Sequence, residues 1–102
     1  MNSYVVNLYP KPNGANLGQN LTVAGTVVSF TNDLDYKTNG VLVSVQTAPV
    51  FVTYDGSTPS ASNGHLLPIG YMDLWSKERA VAAQFIRNGA TSALVNLSQF
   101  TN

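Results

Sequence analysis

Two short runs rich in β-branched residues, VLVSVQ at 41–46 and VFVTYD at 50–55, are separated only by Thr47, Ala48 and Pro49. Three residues cannot hold a crossover helix, so the runs form either an antiparallel pair or one extended run bent at Pro49. In the first, Val41, Val43 and Val45 share one face while Leu42, Ser44 and Gln46 share the other, which makes the inward face all valine. In the second, Val50, Val52 and Tyr54 alternate with Phe51, Thr53 and Asp55. Apolar bulk on both of its faces marks a central strand.

The period of two recurs along the chain. LTVAGTVVSF at 21–30 directs Val23, Val28 and Phe30 inward, with Gly25 marking a bulge or a close backbone approach. Residues 65–69 form a short strand interrupted by Pro68, Gly70 turns the chain, and residues 71–75 place Tyr71, Asp73 and Trp75 on one side. Near the end, Ala93, Val95 and Leu97 alternate with Leu94, Asn96 and Ser98. SKERAVAAQFIR at 76–87 mixes two patterns: Ser76 is a helix cap followed by good helix formers, whereas 83–87 alternates. The spacing predicts a helical turn over 76–80 and a strand over 83–87. Asn-Gly, a low-strain hairpin turn, begins at positions 13, 39, 63 and 88. Seven or eight short strands in about 80 residues predict an all-β fold, a small antiparallel, jelly-roll-like sandwich with at most one short helix.

At 102 residues the chain holds one modest core. The sandwich domain is expected over 21–102. Residues 1–20, with Pro10, Pro12 and the turn Asn13-Gly14, are expected to form an extended N-terminal arm. Such an arm can add a strand to a neighbouring subunit through main-chain hydrogen bonds, so Tyr4, Val6, Leu8, Tyr9, Pro10 and Pro12 are the candidate partner-binding residues.

Five Lys and Arg balance five Asp and Glu, and charged residues are 10% of the chain against about 25% in an ordinary soluble domain. Five dispersed cations form no basic stripe, so nucleic acid is not an expected partner. A net charge of zero removes the self-repulsion that keeps a subunit apart from its copies, which favours life in an assembly. With no cysteine there is no disulfide, thiolate metal site or thiol nucleophile. The first residues have neither the basic start nor the apolar run of a signal peptide, and no stretch approaches the ~18 apolar residues of a membrane span. Synthesis in a cytoplasm and no membrane partner are expected.

Three groups of residues bear on chemistry. His65 is the sole histidine; a triad could draw on Ser57, Ser60 or Ser62 with Asp55 as orienting group, but no G-x-S-x-G elbow is present and turn formation accounts for these residues. Asp33 and Asp35 lie two apart, yet a calcium loop needs about six oxygens and Glu78 is the only glutamate, so turn capping is the better reading. Trp75 with Tyr71, Tyr36, Tyr54 and Tyr9 could stack on a sugar or fill a core. No catalytic residue, metal or cofactor is expected.

The run YDGSTPSASNGHLLPIGYMDLW, followed by AAQFIRNGATSALVNLSQF, resembles small virion proteins of tailed bacteriophages. The matching positions are Asp55, Gly56, Pro59, Ser60, Gly64, His65, Leu67 and Gly70, then Phe85, Ile86, Arg87, Gly89 and Ala90. The likeness spans the chain from Val50 onward. It implies a non-enzymatic β-sandwich of the virion, made in the host bacterial cytoplasm, with Asp55, Gly56, Pro59, Gly64, His65 and Gly70 as a structural turn motif. Its place would be on the head as decoration or cement, or at the neck or tail. The implied partners are the major capsid protein or neck and tail proteins, and like copies in a homo-oligomer, with a trimer favoured by ring symmetry. A carbohydrate-binding or receptor-binding module is the alternative.

Overall fold

A computed structural model describes residues 11–13, 18–31 and 34–101 of the chain. The strands are β1 (Lys11–Pro12), β2 (Gln19–Val23), β3 (Gly40–Gln46), β4 (Val50–Thr53), β5 (His65–Leu67), β6 (Met72–Ser76), β7 (Gln84–Arg87) and β8 (Ala93–Thr101), with one helix, α1 (Lys77–Ala82). They form two antiparallel sheets, as the alternation predicts. The larger runs β2-β8-β3-β6, with β1 continuing along the same edge of β8 as β2. The smaller runs β5-β4-β7, and Val28 bridges to Phe85 on the outer side of β7.

This is a jelly roll. Asn20 opposes Asn96, Val28 opposes Phe85, Val43 opposes Asp73 and Val52 opposes His65. Each of these pairs lies nearly symmetrically in sequence about Thr58. The chain is therefore one long hairpin whose tip is the loop at residues 54–64, rolled so that β3 also meets β8 and β4 also meets β7.

Sequence alternation fixes what faces inward. Val41, Val43 and Val45 of β3, Ala93, Val95 and Leu97 of β8, Val23 of β2 and Trp75 of β6 are buried from one side. Val50, Val52, Leu67 and Phe85 are buried from the other. Phe85 centres the packing, edge-on to Phe30 at 5.4 Å between centroids and parallel to Trp75 at 6.3 Å. Fully burying side chains of this size contributes about 1.5–3 kcal/mol each.

The runs at 41–46 and 50–55 do not pair. They belong to different sheets, so of the two expected arrangements the one adopted is the single run with a bend, which falls at Thr47 and not at Pro49. The bend is a three-residue turn: Ala48 N–H donates to the Gln46 carbonyl (2.9 Å) across Thr47, whose φ is +78°. Regular pairing over 21–30 stops at Val23, because the chain leaves the large sheet there and returns at Val28 to the small one. Gly25 lies in that crossing, where a Cβ would sit 3.4 Å from the Arg87 guanidinium. The switch after Ser76 is as expected: Ser76 Oγ accepts from Arg79 N–H (3.1 Å) to cap α1, and Ala83 is already extended.

Of the segment expected as an arm, Lys11 and Pro12 pair with Thr101 and Phe100 of this chain's own β8, and Gln19 and Asn20 belong to β2.

Candidate functional site

The residues singled out in the sequence gather mainly at the hairpin tip. Asp55 leaves β4 and its Oδ1 accepts from both Ser57 N–H (3.0 Å) and Ser57 Oγ (2.5 Å), which pulls its carboxyl below the usual 3.8. Gly56 follows in the left-handed region, φ +85°. Thr53 Oγ1 donates to the Ser57 carbonyl, Ser60 and Asn63 exchange backbone bonds, and Asn63 Nδ2 ties back to Thr58 O (2.8 Å) and Ser57 Oγ (3.0 Å). Pro59 is fully buried beneath this weave. Gly64, φ +115°, is required: a Cβ there would lie 2.5 Å from the Val52 carbonyl oxygen. Gly70, φ +88°, turns β5 toward β6 and donates its N–H to Val45 O (2.9 Å).

His65 opens β5 with an exposed ring, 6.0 Å from the Tyr54 ring. No hydrogen bond joins it to Ser57, Ser60 or Ser62: Ser57 bonds to Asp55 directly, and Ser60 and Ser62 bond to each other at 3.2 Å. The triad weighed in the sequence is thus not assembled. What the tip does form is an open depression of about 300 Å³ lined by Thr53, Tyr54, Asp55, Ser57, Asn63, Gly64 and His65.

Beside the tip is a cluster that the sequence supplied only in part. Tyr54, Tyr71 and Trp75 come together, whereas Tyr36 stands apart, 81% exposed with Lys37 over its ring. Trp75 Nε1 donates to Tyr71 Oη (2.9 Å), and Tyr71 Oη donates to Asp73 Oδ2 (3.4 Å), so the predicted common side of residues 71, 73 and 75 is a hydrogen-bonded chain. Arg79 from α1 closes the cluster, its guanidinium 4.3 Å from the Trp75 centroid and 4.7 Å from that of Tyr54, with Nη2 donating to Tyr54 Oη (2.9 Å). With Arg79 and Phe85 packed on it, Trp75 is only 2% exposed and acts as core, not as a sugar platform. Burial pushes the Tyr54 hydroxyl above its usual 10.0, and Arg79 offsets part of that rise. Only the serine cap of α1 hinted that Arg79 would face this way.

A second polar centre lies at the far end of the large sheet. Gln99 continues the inward row of β8, and its Oε1 accepts from Thr38 Oγ1 (2.6 Å) and Asp35 N–H (3.0 Å). Asn13 Nδ2 donates to Asp35 Oδ2 (2.9 Å), and Lys77 Nζ donates to Asp35 O (3.2 Å). Asp35 therefore anchors a turn, and Asp33 lies outside the described residues. Among the described residues, no three of His, Asp and Glu gather to hold a metal, and no helix is long and apolar enough to cross a membrane.

Exposed apolar side chains follow one another in one stretch of chain: Leu66 (51%) on the outer face of the small sheet, Ile69 (59%) in the turn after β5, and Met72 (65%) and Leu74 (49%) on the outer face of the large sheet. Among the described residues, β5 and β6 are both sheet edges. On β6 the Leu74 N–H, which points away from β3, is taken by Asp73 Oδ1 at 2.8 Å, an acidic guard on an otherwise open edge. Of the candidate partner-binding set, Pro12 lies opposite Phe100, and Tyr4, Val6, Leu8, Tyr9 and Pro10 lie outside the described residues. Comparison with protein-family models, with curated proteins and with solved structures finds no match to this chain.

Proposed function

We propose that this chain is a non-enzymatic structural subunit of a phage virion, a decoration or cement protein that stabilises the shell by binding other virion proteins and its own copies. The observation that carries the reading is the succession of exposed apolar side chains Leu66, Ile69, Met72 and Leu74 along the edge strands β5 and β6 and the turn between them, since apolar side chains exposed this densely mark contact surfaces. The sequence resemblance from Val50 onward points the same way, and the neutral, charge-poor composition suits a protein packed among others. A jelly roll serves many functions, so the fold alone adds nothing to this reading.

The test is sedimentation of the purified chain with undecorated heads, necks and tails. Binding to heads is the expected result, and binding to necks or tails would move the protein to that position. Association with no particle component overturns the reading. A chain lacking residues 1–10 tests the arm, and this cut is the informative one because β1 begins at Lys11. It should keep its far-UV spectrum and lose attachment; retained attachment would remove the arm from the mechanism.

One observation favours a second reading, a glycan-binding module: the depression beside Tyr54, Asp55, Asn63 and His65 offers carboxylate, amide and ring groups together. Glycan binding abolished by Asp55→Ala would support it, and silence across a glycan array would end it.

A further inference from the structure

The outward face of the large sheet is defined residue by residue through its registers. Across β2-β8-β3-β6 it presents the rows Thr22-Leu94-Gln46, Asn20-Asn96-Ser44-Met72 and Ser98-Leu42-Leu74, then Phe100-Gly40-Ser76. Not one of these side chains is ionisable. The described charged groups lie elsewhere: in the turns (Asp35, Lys37, Asp55), on α1 (Lys77, Glu78, Arg79), at Lys11, and on inward-parity positions of the strands (Asp73, Arg87). Within the face, Asn96 Oδ1 is covered by its own chain and finds no hydrogen-bond partner among the described residues.

We propose that this face is the contact between two copies of the chain related by a two-fold axis. The inference goes beyond the virion reading and holds whether or not the chain serves a particle. Three considerations select a second copy as the occupant. In a two-fold contact the same patch meets itself, so a charge near the axis would face its own like; a face with no charges escapes that penalty wherever the axis falls. Its Asn, Gln, Ser and Thr side chains supply both donors and acceptors, so a copy carries what its twin needs. The extent fits a reversible contact. The four strands hold 5, 9, 7 and 5 residues, a footprint of ~410 Å² on each copy and ~820 Å² for the pair, the scale of a weak, reversible association. The apolar residues Leu42, Met72, Leu74 and Leu94 form the dry part of the contact, and the row through Asn96 the polar part.

The test is sedimentation equilibrium on the full chain and on two double variants, Ser44→Lys with Ser98→Lys and Ser44→Glu with Ser98→Glu. Both positions lie on the open face, and far-UV and tryptophan spectra report whether the fold is kept. A dimer is expected for the parent chain, with association weakened about a hundredfold in either variant through like-charge opposition. Mixing the Lys and Glu variants should restore the pair. A monomeric parent, a trimer, or a dimer indifferent to these substitutions overturns the inference. A dimer that binds no particle component would leave it standing while removing the virion reading.

Discussion

The Arg79 guanidinium sits over the Trp75 ring, 4.3 Å from its centroid, and among the described residues makes the one cationic contact to a side chain that is 2% exposed. It joins α1 to the β6 edge and, through its bond to Tyr54 Oη, to the end of β4.

Replacing that planar group should loosen three elements at once. Arg79→Ala is expected to cost about 1–2 kcal/mol in urea unfolding, with tryptophan emission shifted to the red. Arg79→Lys should recover less than half of the loss, since an ammonium cannot cover two rings and hold Tyr54 together. A silent Arg79→Ala would show the cluster to be ornamental.

Tyr54 gives the sheet an alkaline limit. Its folded-state pKa is above 10.0, mainly through burial, so the ionised form is better accommodated in the unfolded chain. Its contribution is complete below about pH 10, where both states are protonated, and is lost as pH rises through the folded value. The urea midpoint should fall across that window, and Tyr54→Phe should flatten this part of the profile.

Two tip glycines separate backbone strain from steric overlap. Both have positive φ, but Gly56 has open space where a Cβ would go, while at Gly64 it would meet the Val52 carbonyl at 2.5 Å. Gly56→Ala should cost about 1 kcal/mol. Gly64→Ala should cost clearly more, since a strand carbonyl must move. Equal urea midpoints for the two variants would contradict this geometry.

Gln99→Leu fits the apolar parity of β8 but leaves the Thr38 hydroxyl and the Asp35 N–H without their acceptor. The expected cost is about 2 kcal/mol. Hydrogen exchange should show the turn around Asp35 opening first. If stability were unchanged, the polar centre would be dispensable.

Period-two patterning made most of the sandwich legible. The valines of β3, the alternation of β8 and the serine that starts α1 each have a local cause that sequence records. The change of sheet at Thr47 does not, because the alternation of β3 and β4 reads the same whether the strands pair or part. Only the positive φ of Thr47 and its closed turn decide it. The site was legible where turn chemistry set it, as at Asp55, Gly56 and Gly64. It was obscure where distant elements converge, as Arg79 does on Tyr54, or Gln99 on Thr38. The aromatic residues were visible as a group; which of them would be covered depended on the helix that folds over Trp75.

The rolled hairpin also sets a timetable for synthesis. A nascent chain can close β4 on β5 once residue 67 has cleared the ribosome, and β3 on β6 soon after. Among the described strands β2, however, pairs only with β8, so Val23 has no strand partner until Ala93, which lies opposite it, has been made. Until then the half-made sandwich leaves one side of its valine row uncovered, a window in which chaperone holding, or premature contact between nascent neighbours, would decide the yield.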